Sequence, residues 1–185
     1  MSTPAPKFEI PSELVPNDVE SGHIVRKGEG RTVHYAGNLM QWKLEEDHSH
    51  GFCSVVEVIM RRDEEPPLHV HAREEEMYFL QEGEVTFYVG SEVLEAKPGD
   101  AVLLPRKVPH ALSVSKQSQM AKLILLVWPS NSLAGYFDTM GQDATGAAMP
   151  PAEPDFRVDK AVEAIRPHGV TILGPGPSLV EDGLV

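Results

Sequence analysis

From about residue 23 to residue 129 the chain repeats one pattern: a short run rich in Val, Ile, Leu, Phe and Tyr, then a turn residue. The runs are TVHYAG, LMQWKL, FCSVVEVIM, EMYFLQ, EVTFYVG, DAVLLP, HALSVS and MAKLILLVW. Between them stand Gly37, Gly51, Pro66, Pro67, Gly83, Gly90, Pro98, Gly99 and Pro105. Many short strands with turn signals at regular spacing predict an all-β sandwich or barrel. No stretch long enough for a crossover helix, with helical period, separates these runs, which argues against a parallel α/β sheet. The longest apolar run, LILLVW at 123 to 128, is far shorter than the roughly 18 to 20 residues a membrane span requires, so it is expected to be a buried strand.

The flanks differ in texture. Residues 1 to 22 are expected to form an arm, since four prolines fall among the first 20 residues and no periodicity is sustained. Residues 23 to 130 are expected to form the barrel, and residues 131 to 185 a helical segment and tail that pack on it. Within the last, SLAGYFDTM at 132 to 140 suggests a short helix, and GQDATGAAMPPAEP a loop. DFRVDKAVEAIRP places Val158, Ala161, Val162 and Ile165 at helical spacing before Pro167 ends the run.

At 185 residues the chain fits one domain that can bury a core unaided. A formal charge of −12 with no basic stripe repels a phosphate backbone, which excludes nucleic acid as an expected partner. Cys53 is the single cysteine and the first residues carry no basic, then apolar leader, so a cytoplasmic location is expected. Cys53 falls within an apolar strand run and no G-x-S-x-G occurs, which gives nucleophilic hydrolysis little support. KGEGRT holds a G-x-G, but Val33 stands where a third glycine is needed.

One segment, PPLHVHAREEEMYFLQEG at 66 to 83, carries a candidate site. In a strand alternate side chains share a face, so His69 and His71 point the same way, close enough to bind one ion. Two imidazoles and a carboxylate suit a divalent first-row metal, and a third histidine would complete four ligands with positions left for water or substrate. His110 is the candidate, at the start of the strand that follows a Pro-rich turn after 101 to 104; a barrel brings inward side chains of such strands together. Strand parity does not choose among the glutamates: Glu74 and Glu76 share parity with Tyr78 and Leu80, whereas Glu75 aligns with Met77 and Phe79.

The segment HVHAREEEMYFLQEG has the form H-x-H, four residues, E, six residues, G, and GDAVLLPRKVPHALSV the form G, five residues, P, four residues, H. Together, with 15 residues between Gly83 and Gly99, these resemble the paired motifs of the cupin superfamily. Spacing over 52 to 71 and the tail RPHGVTILGPGP are similar to small single-domain cupins of the quercetin 2,3-dioxygenase-like group, and the likeness covers roughly 23 to 177. The resemblance implies a double-stranded β-helix, or jelly roll, with His69, His71, Glu76 and His110 as ligands of one divalent metal (Fe, Mn, Ni, Co, Cu or Zn). The six-residue count to Gly83 selects Glu76, with Glu75 its competitor, and leaves Glu74 and Glu75 as solvated turn residues. Two departures, Lys107 where the family has glycine and Val114 where it often has asparagine, bear on turn shape and pocket polarity and not on the metal.

With such a metal site, the resemblance implies an oxidoreductase of the dioxygenase type acting on a small aromatic or enolisable compound and O2, with Glu76 as ligand and proton acceptor. Redox-neutral chemistry at the same metal (isomerisation, decarboxylation, cyclisation, dehydration) and a non-catalytic ligand-binding cupin are the alternatives. Tyr78, Leu80, Leu112 and Val114 are expected to line the substrate pocket, with Phe137 and Met140 capping its mouth. His48 and His50, a second H-x-H, fall beside Gly51 in an expected hairpin and are assigned to a loop that either is solvated or touches substrate. The proline-rich arm and the long strand LILLVW are compatible with a homodimer.

Overall fold

A computed structural model describes residues 11–14, 22, 24–130, 134–153 and 158–184. Twelve strands are described: β1 (Thr32–Tyr35), β2 (Asn38–Leu44), β3 (Ser54–Arg61), β4 (His69–His71), β5 (Glu75–Glu82), β6 (Val85–Val89), β7 (Glu92–Ala96), β8 (Ala101–Leu104), β9 (His110–Val114), β10 (Met120–Trp128), β11 (Gln142–Ala144) and β12 (Val170–Ile172). Three short helices follow the barrel strands: α1 (Ala134–Met140), α2 (Val158–Ile165) and α3 (Pro177–Glu181). The strands form two antiparallel sheets, of order β11-β1-β2-β3-β10-β5-β8 and β12-β4-β9-β6-β7. The run of short strands predicts an all-β sandwich or barrel, and the architecture is the jelly-roll barrel that the resemblance implies.

The period of two explains which face of each strand is buried. In β3, SVVEVIMR, every second residue is buried, and Val56, Val58 and Met60 join the core. Facing them across the barrel are Val85, Phe87 and Val89 of β6 and Leu112 and Val114 of β9. β9 is buried on both faces, because α3 lies over its outer side: Ser113 Oγ donates to Glu181 Oε2 at 3.2 Å. Turn chemistry sets the corners. Gly83, between β5 and β6, holds φ at +84°, and a Cβ there would stand 2.5 Å from the Met120 carbonyl oxygen, so only glycine fits.

Sequence and structure part company in several places. β11 lies in the stretch assigned to a loop, and β12 in the tail; they add an edge strand to each sheet, by pairing with β1 and β4. β7, EVLEA in sequence, is a mostly exposed strand that the apolar runs do not announce. Cys53 precedes β3 instead of lying inside a strand, and is half-buried. Of the expected arm, only Ser12–Leu14, a single 3-10 turn, and residues 11 and 22 are described; the rest, with His23, lies outside the described residues. α1 lies where SLAGYFDTM predicts a helix, and α2 where DFRVDKAVEAIRP does.

Candidate metal centre

β4 pairs with β9 so that His69 stands opposite His110. His71, two residues on, shares the inward face of β4, and both β4 histidines are buried. In the other sheet β5 turns Glu76, Tyr78 and Leu80 inward, and Glu76 lies between Leu104 of β8 and Val127 of β10. Four side chains from three strands thereby meet inside one end of the barrel. Their ligand atoms all lie within 4.8 Å of one another. Donors bound at 2.0 to 2.2 Å around one ion are separated by at most about 4.4 Å, so small side-chain adjustments suffice to close the set on a cation.

The hydrogen bonds around the rings decide which nitrogens are available. His69 Nδ1 donates to the Pro67 carbonyl at 2.7 Å and His110 Nδ1 to the Val108 carbonyl at 3.0 Å. A carbonyl oxygen only accepts, so in the neutral rings the proton is on Nδ1 and Nε2 carries a bare lone pair. These two Nε2 atoms face each other at 3.2 Å. A proton between them would need a cationic ring, and burial, helped by His110 and His71, pulls the His69 imidazole down to about 3. Burial lowers His110 as well, against the opposing pull of Glu76. Two facing lone pairs repel, and a cation between them turns the repulsion into binding.

The third histidine completes the pattern. His71 Nδ1 lies 3.3 Å from Glu74 Oε2, and its Nε2 lies 3.6 Å from Glu76 Oε1. Burial lowers this imidazole, but Glu76 and Glu74 together outweigh burial and raise it. Glu76 Oε2 stands 3.7 Å from His110 Nε2 and, though buried, makes no hydrogen bond. Three imidazole Nε2 atoms and one unsatisfied carboxylate oxygen are the donor set of a divalent first-row transition metal, with each histidine oriented through its other nitrogen.

The remaining sequence candidates are placed as follows. Tyr78, Leu80, Leu112 and Val114 are buried members of the apolar core. Tyr78 lies two residues below Glu76, and burial and the Glu76 charge push its phenol well up. Phe137 packs edge-on against Trp42, with ring centroids 5.6 Å apart, and against Tyr35 at 5.3 Å; Met140 is half-buried on the same helix. Glu75 is half-buried and ion-paired with Arg106 at 3.4 Å, apart from the ligands. His48 and His50 are exposed in the β2–β3 connection, outside the cluster. That connection runs to Ser54, which is opposite Val127, itself opposite Glu76, so it stands at the cluster's end of the barrel.

Two residues have roles that differ from the sequence reading. Glu74 is not a solvated turn residue: its side chain is 0% exposed and bonded to His71. Its shared parity with Glu76 is the signal that could have found it. Lys107 adopts φ +66°, the left-handed conformation that favours glycine, and its backbone N–H donates to the His71 carbonyl at 2.7 Å. The turn therefore keeps its shape at the cost of strain in a non-glycine residue. Lys107→Gly is expected to raise stability by about 0.5–1 kcal/mol, the relief of strain less the added chain entropy of glycine. A thermal melt of the metal-free protein checks this, and an unchanged or lower Tm would refute it.

The family model described as a cupin domain matches residues 56–128. An uncharacterized protein of Methanocaldococcus jannaschii, MJ1618, is 34% identical over 59 residues, which are 32% of this chain and 47% of that protein. The chain thus spans about half the length of the curated relative it matches. Among solved structures, KdgF from Halomonas sp. aligns with a TM-score of 0.50 at 17% identity, over 60% of this chain and 94% of that one. The Fe(II) form of HppE aligns with a TM-score of 0.50 at 19% identity, over 61% of this chain and 64% of that one. At these identities the structural likeness establishes the fold.

Proposed function

From a chain that carries a cupin domain over residues 56–128, with three histidines and a glutamate converging inside it, we propose a metal-dependent enzyme, an oxygenase acting on a small aromatic or enolisable compound. The observation that carries the proposal is the convergence of three imidazole Nε2 atoms, those of His69 and His110 with bare lone pairs in the neutral rings, and the Glu76 carboxylate on one buried point. His69, His71, Glu76 and His110 would hold the ion. When bound, a divalent transition metal supplies a Lewis acid that lowers the pKa of a coordinated hydroxyl and, for redox-active ions, a site for oxygen chemistry.

The chain's own residues support this reading. One Glu76 oxygen would hold the ion, which leaves the other to take the proton of a substrate enol or phenol. On the wall around it stand Leu104, Val127 and Tyr78, so Glu76 is the single carboxylate of that wall among the described residues. One base beside apolar walls suits removal of one proton and exclusion of water from the electron-rich anion that remains. A rearrangement or dehydration would draw on a second proton carrier, and this wall offers only the Tyr78 phenol.

Oxygen electrode measurements with a flavonol and related enols, on metal-loaded protein, test the proposal. Oxygen consumption in step with substrate loss is expected. Turnover that is unchanged under strict anaerobiosis would instead assign a redox-neutral reaction with Glu76 as acid and base. Saturable binding without turnover would assign a ligand-binding role.

A further inference from the structure

We infer that Glu74 is a positioning residue of the metal centre, a buried carboxylate that orients His71 from behind and balances the charge of the bound ion. The inference rests on the metal reading and extends it to a side chain outside the four ligands. Glu74 ends the turn between β4 and β5, and its side chain is wholly buried. A buried carboxylate is costly unless something cationic or hydrogen-bonded compensates it. Its Oε2 meets His71 Nδ1 at 3.3 Å, and its Oε1 has no hydrogen-bond partner among the described residues. Among the described residues, His71 is thus the one group in hydrogen-bonding contact with this carboxylate.

The three histidines are held differently. His69 and His110 each use the carbonyl of the residue two positions earlier, Pro67 and Val108, a local arrangement set by their own backbone. His71 alone of the three is held by a charged side chain. The backbone around it is pinned as well: its carbonyl accepts from Lys107 N at 2.7 Å, and Ala72 N donates to the Gly169 carbonyl at 2.8 Å. With strand and turn both anchored, Glu74 is left to choose the ring's rotation and to keep the proton on Nδ1, so that Nε2 faces Glu76 and the other histidines. A carboxylate behind an imidazole also makes it a stronger donor.

Charge counting points the same way. A divalent ion bound by three neutral imidazoles and Glu76 carries a net single positive charge inside the protein. Glu74, one imidazole away, brings the buried unit to zero. Without it the centre would hold an uncompensated charge in the barrel interior, where screening is weak.

The test is Co(II) titration of the apoprotein and of Glu74→Gln, Glu74→Asp and Glu76→Gln, followed by the visible absorption of the bound ion. Glu74→Gln keeps shape and a hydrogen-bond acceptor but removes the charge. It is expected to bind one Co(II) per chain with an absorption spectrum like that of the parent and an affinity about 10–100-fold weaker, the usual loss for an outer carboxylate. Glu74→Asp keeps the charge at shorter reach, should fall between the two, and decides the matter if the glutamine variant fails to fold. Glu76→Gln should change the spectrum itself, since it alters a ligand. Unchanged affinity in both Glu74 variants would overturn the inference. A Glu74→Gln spectrum altered as in Glu76→Gln would overturn it by making Glu74 a ligand. Parent protein that takes up no Co(II) would overturn the metal reading and this inference together, whereas loss confined to the Glu74 variants leaves that reading intact.

Discussion

His110→Ala is expected to abolish stoichiometric metal binding, with affinity for Co(II) or Zn(II) reduced more than about 100-fold, beyond the loss seen when only an outer partner of a ligand is removed. The geometry gives the reason. His110 Nε2 is 3.2 Å from His69 Nε2 and 3.7 Å from Glu76 Oε2, so it links the two halves of the donor set across the sheets. Its removal leaves His69 and His71 on one strand and Glu76 on another, with nothing from β9 between them. His69→Ala should behave alike, and His48→Ala, in the exposed β2–β3 connection, should keep its metal. Melting gives a second readout. A ligand present at 100 times its Kd adds about 2.7 kcal/mol to stability, which corresponds to a rise of about 5–10 °C for a chain of this size. That metal-dependent rise should vanish in His110→Ala. A variant that retained one ion per chain and the same rise would show that the ion binds elsewhere.

Arg62→Ala is expected to be the most destabilising substitution of a charged residue far from the cluster. The Arg62 side chain is 4% exposed, yet it serves as a hub: it donates to Asp182 at 2.8 Å, to Glu181 at 3.0 Å and to Ser113 Oγ at 3.2 Å, and also to the Val114 carbonyl. Next to it Glu65 accepts from Val114 N at 2.7 Å and from Ser178 Oγ at 2.6 Å. These bonds dock α3 on the outer face of β9. Truncation would leave the Val114 carbonyl short of one partner, Asp182 with Lys116 alone of its two cationic partners, and Glu181 with only the Tyr88 and Ser113 hydroxyls. Because those carboxylates reach solvent, about 2–3 kcal/mol is expected, below the 3–5 typical of a fully buried pair. A Tm lowered by about 5–10 °C is the measurement, and a loss under about 2 °C would refute the docking role.

Acid should undo the same junction. Hydrogen bonds from Arg62 and Lys116 hold the Asp182 carboxyl down to about 2, below its ordinary value of 3.8. For Glu181 burial works upward, but hydrogen bonds from Tyr88, Arg62 and Ser113 outweigh it and lower the group. A carboxyl lowered on folding stabilises the fold above its unfolded pKa and loses that contribution as pH falls toward the folded value. Between about pH 4 and pH 2, then, the hold on α3 weakens. Burial raises Glu65, so that this neighbour takes up a proton earlier in the same descent. Amide exchange in α3 should accelerate in this window, and in Arg62→Ala it should be fast already at neutral pH.

Much of the barrel could be read in the sequence because period-two alternation and Gly or Pro punctuation are local signals. His69, His71 and His110 were legible for a related reason: their spacing puts them on inward faces whatever the details of packing. Glu76 needed the family's residue count, since parity alone does not separate it from Glu74. What escaped depends on partners distant in the chain. The run RRDEEPP looks like a solvated turn, yet α3 buries Arg62 and Glu65 within it from more than 110 residues away. β11 and β12, three residues each, become strands only because β1 and β4 present open edges to them. The conformation of Lys107 carries no residue-type signal, because its left-handed backbone is imposed by the turn that a glycine would ordinarily make.

The pairing of β12 with β4 also sets an order of events in time. β4 is three residues long and two of them are ligands; on its far side from β9, Ile172 stands opposite His69 and Val170 opposite His71. The last of the four donors is residue 110, but the strand that flanks β4 ends 62 residues later, at Ile172. A nascent chain short of that point owns all four donors with β4 frayed along one edge, and such long-range pairings close late. Competence for tight metal uptake is therefore expected only once residues 170–172 have joined the sheet beside β4, well after the four donors themselves have been made.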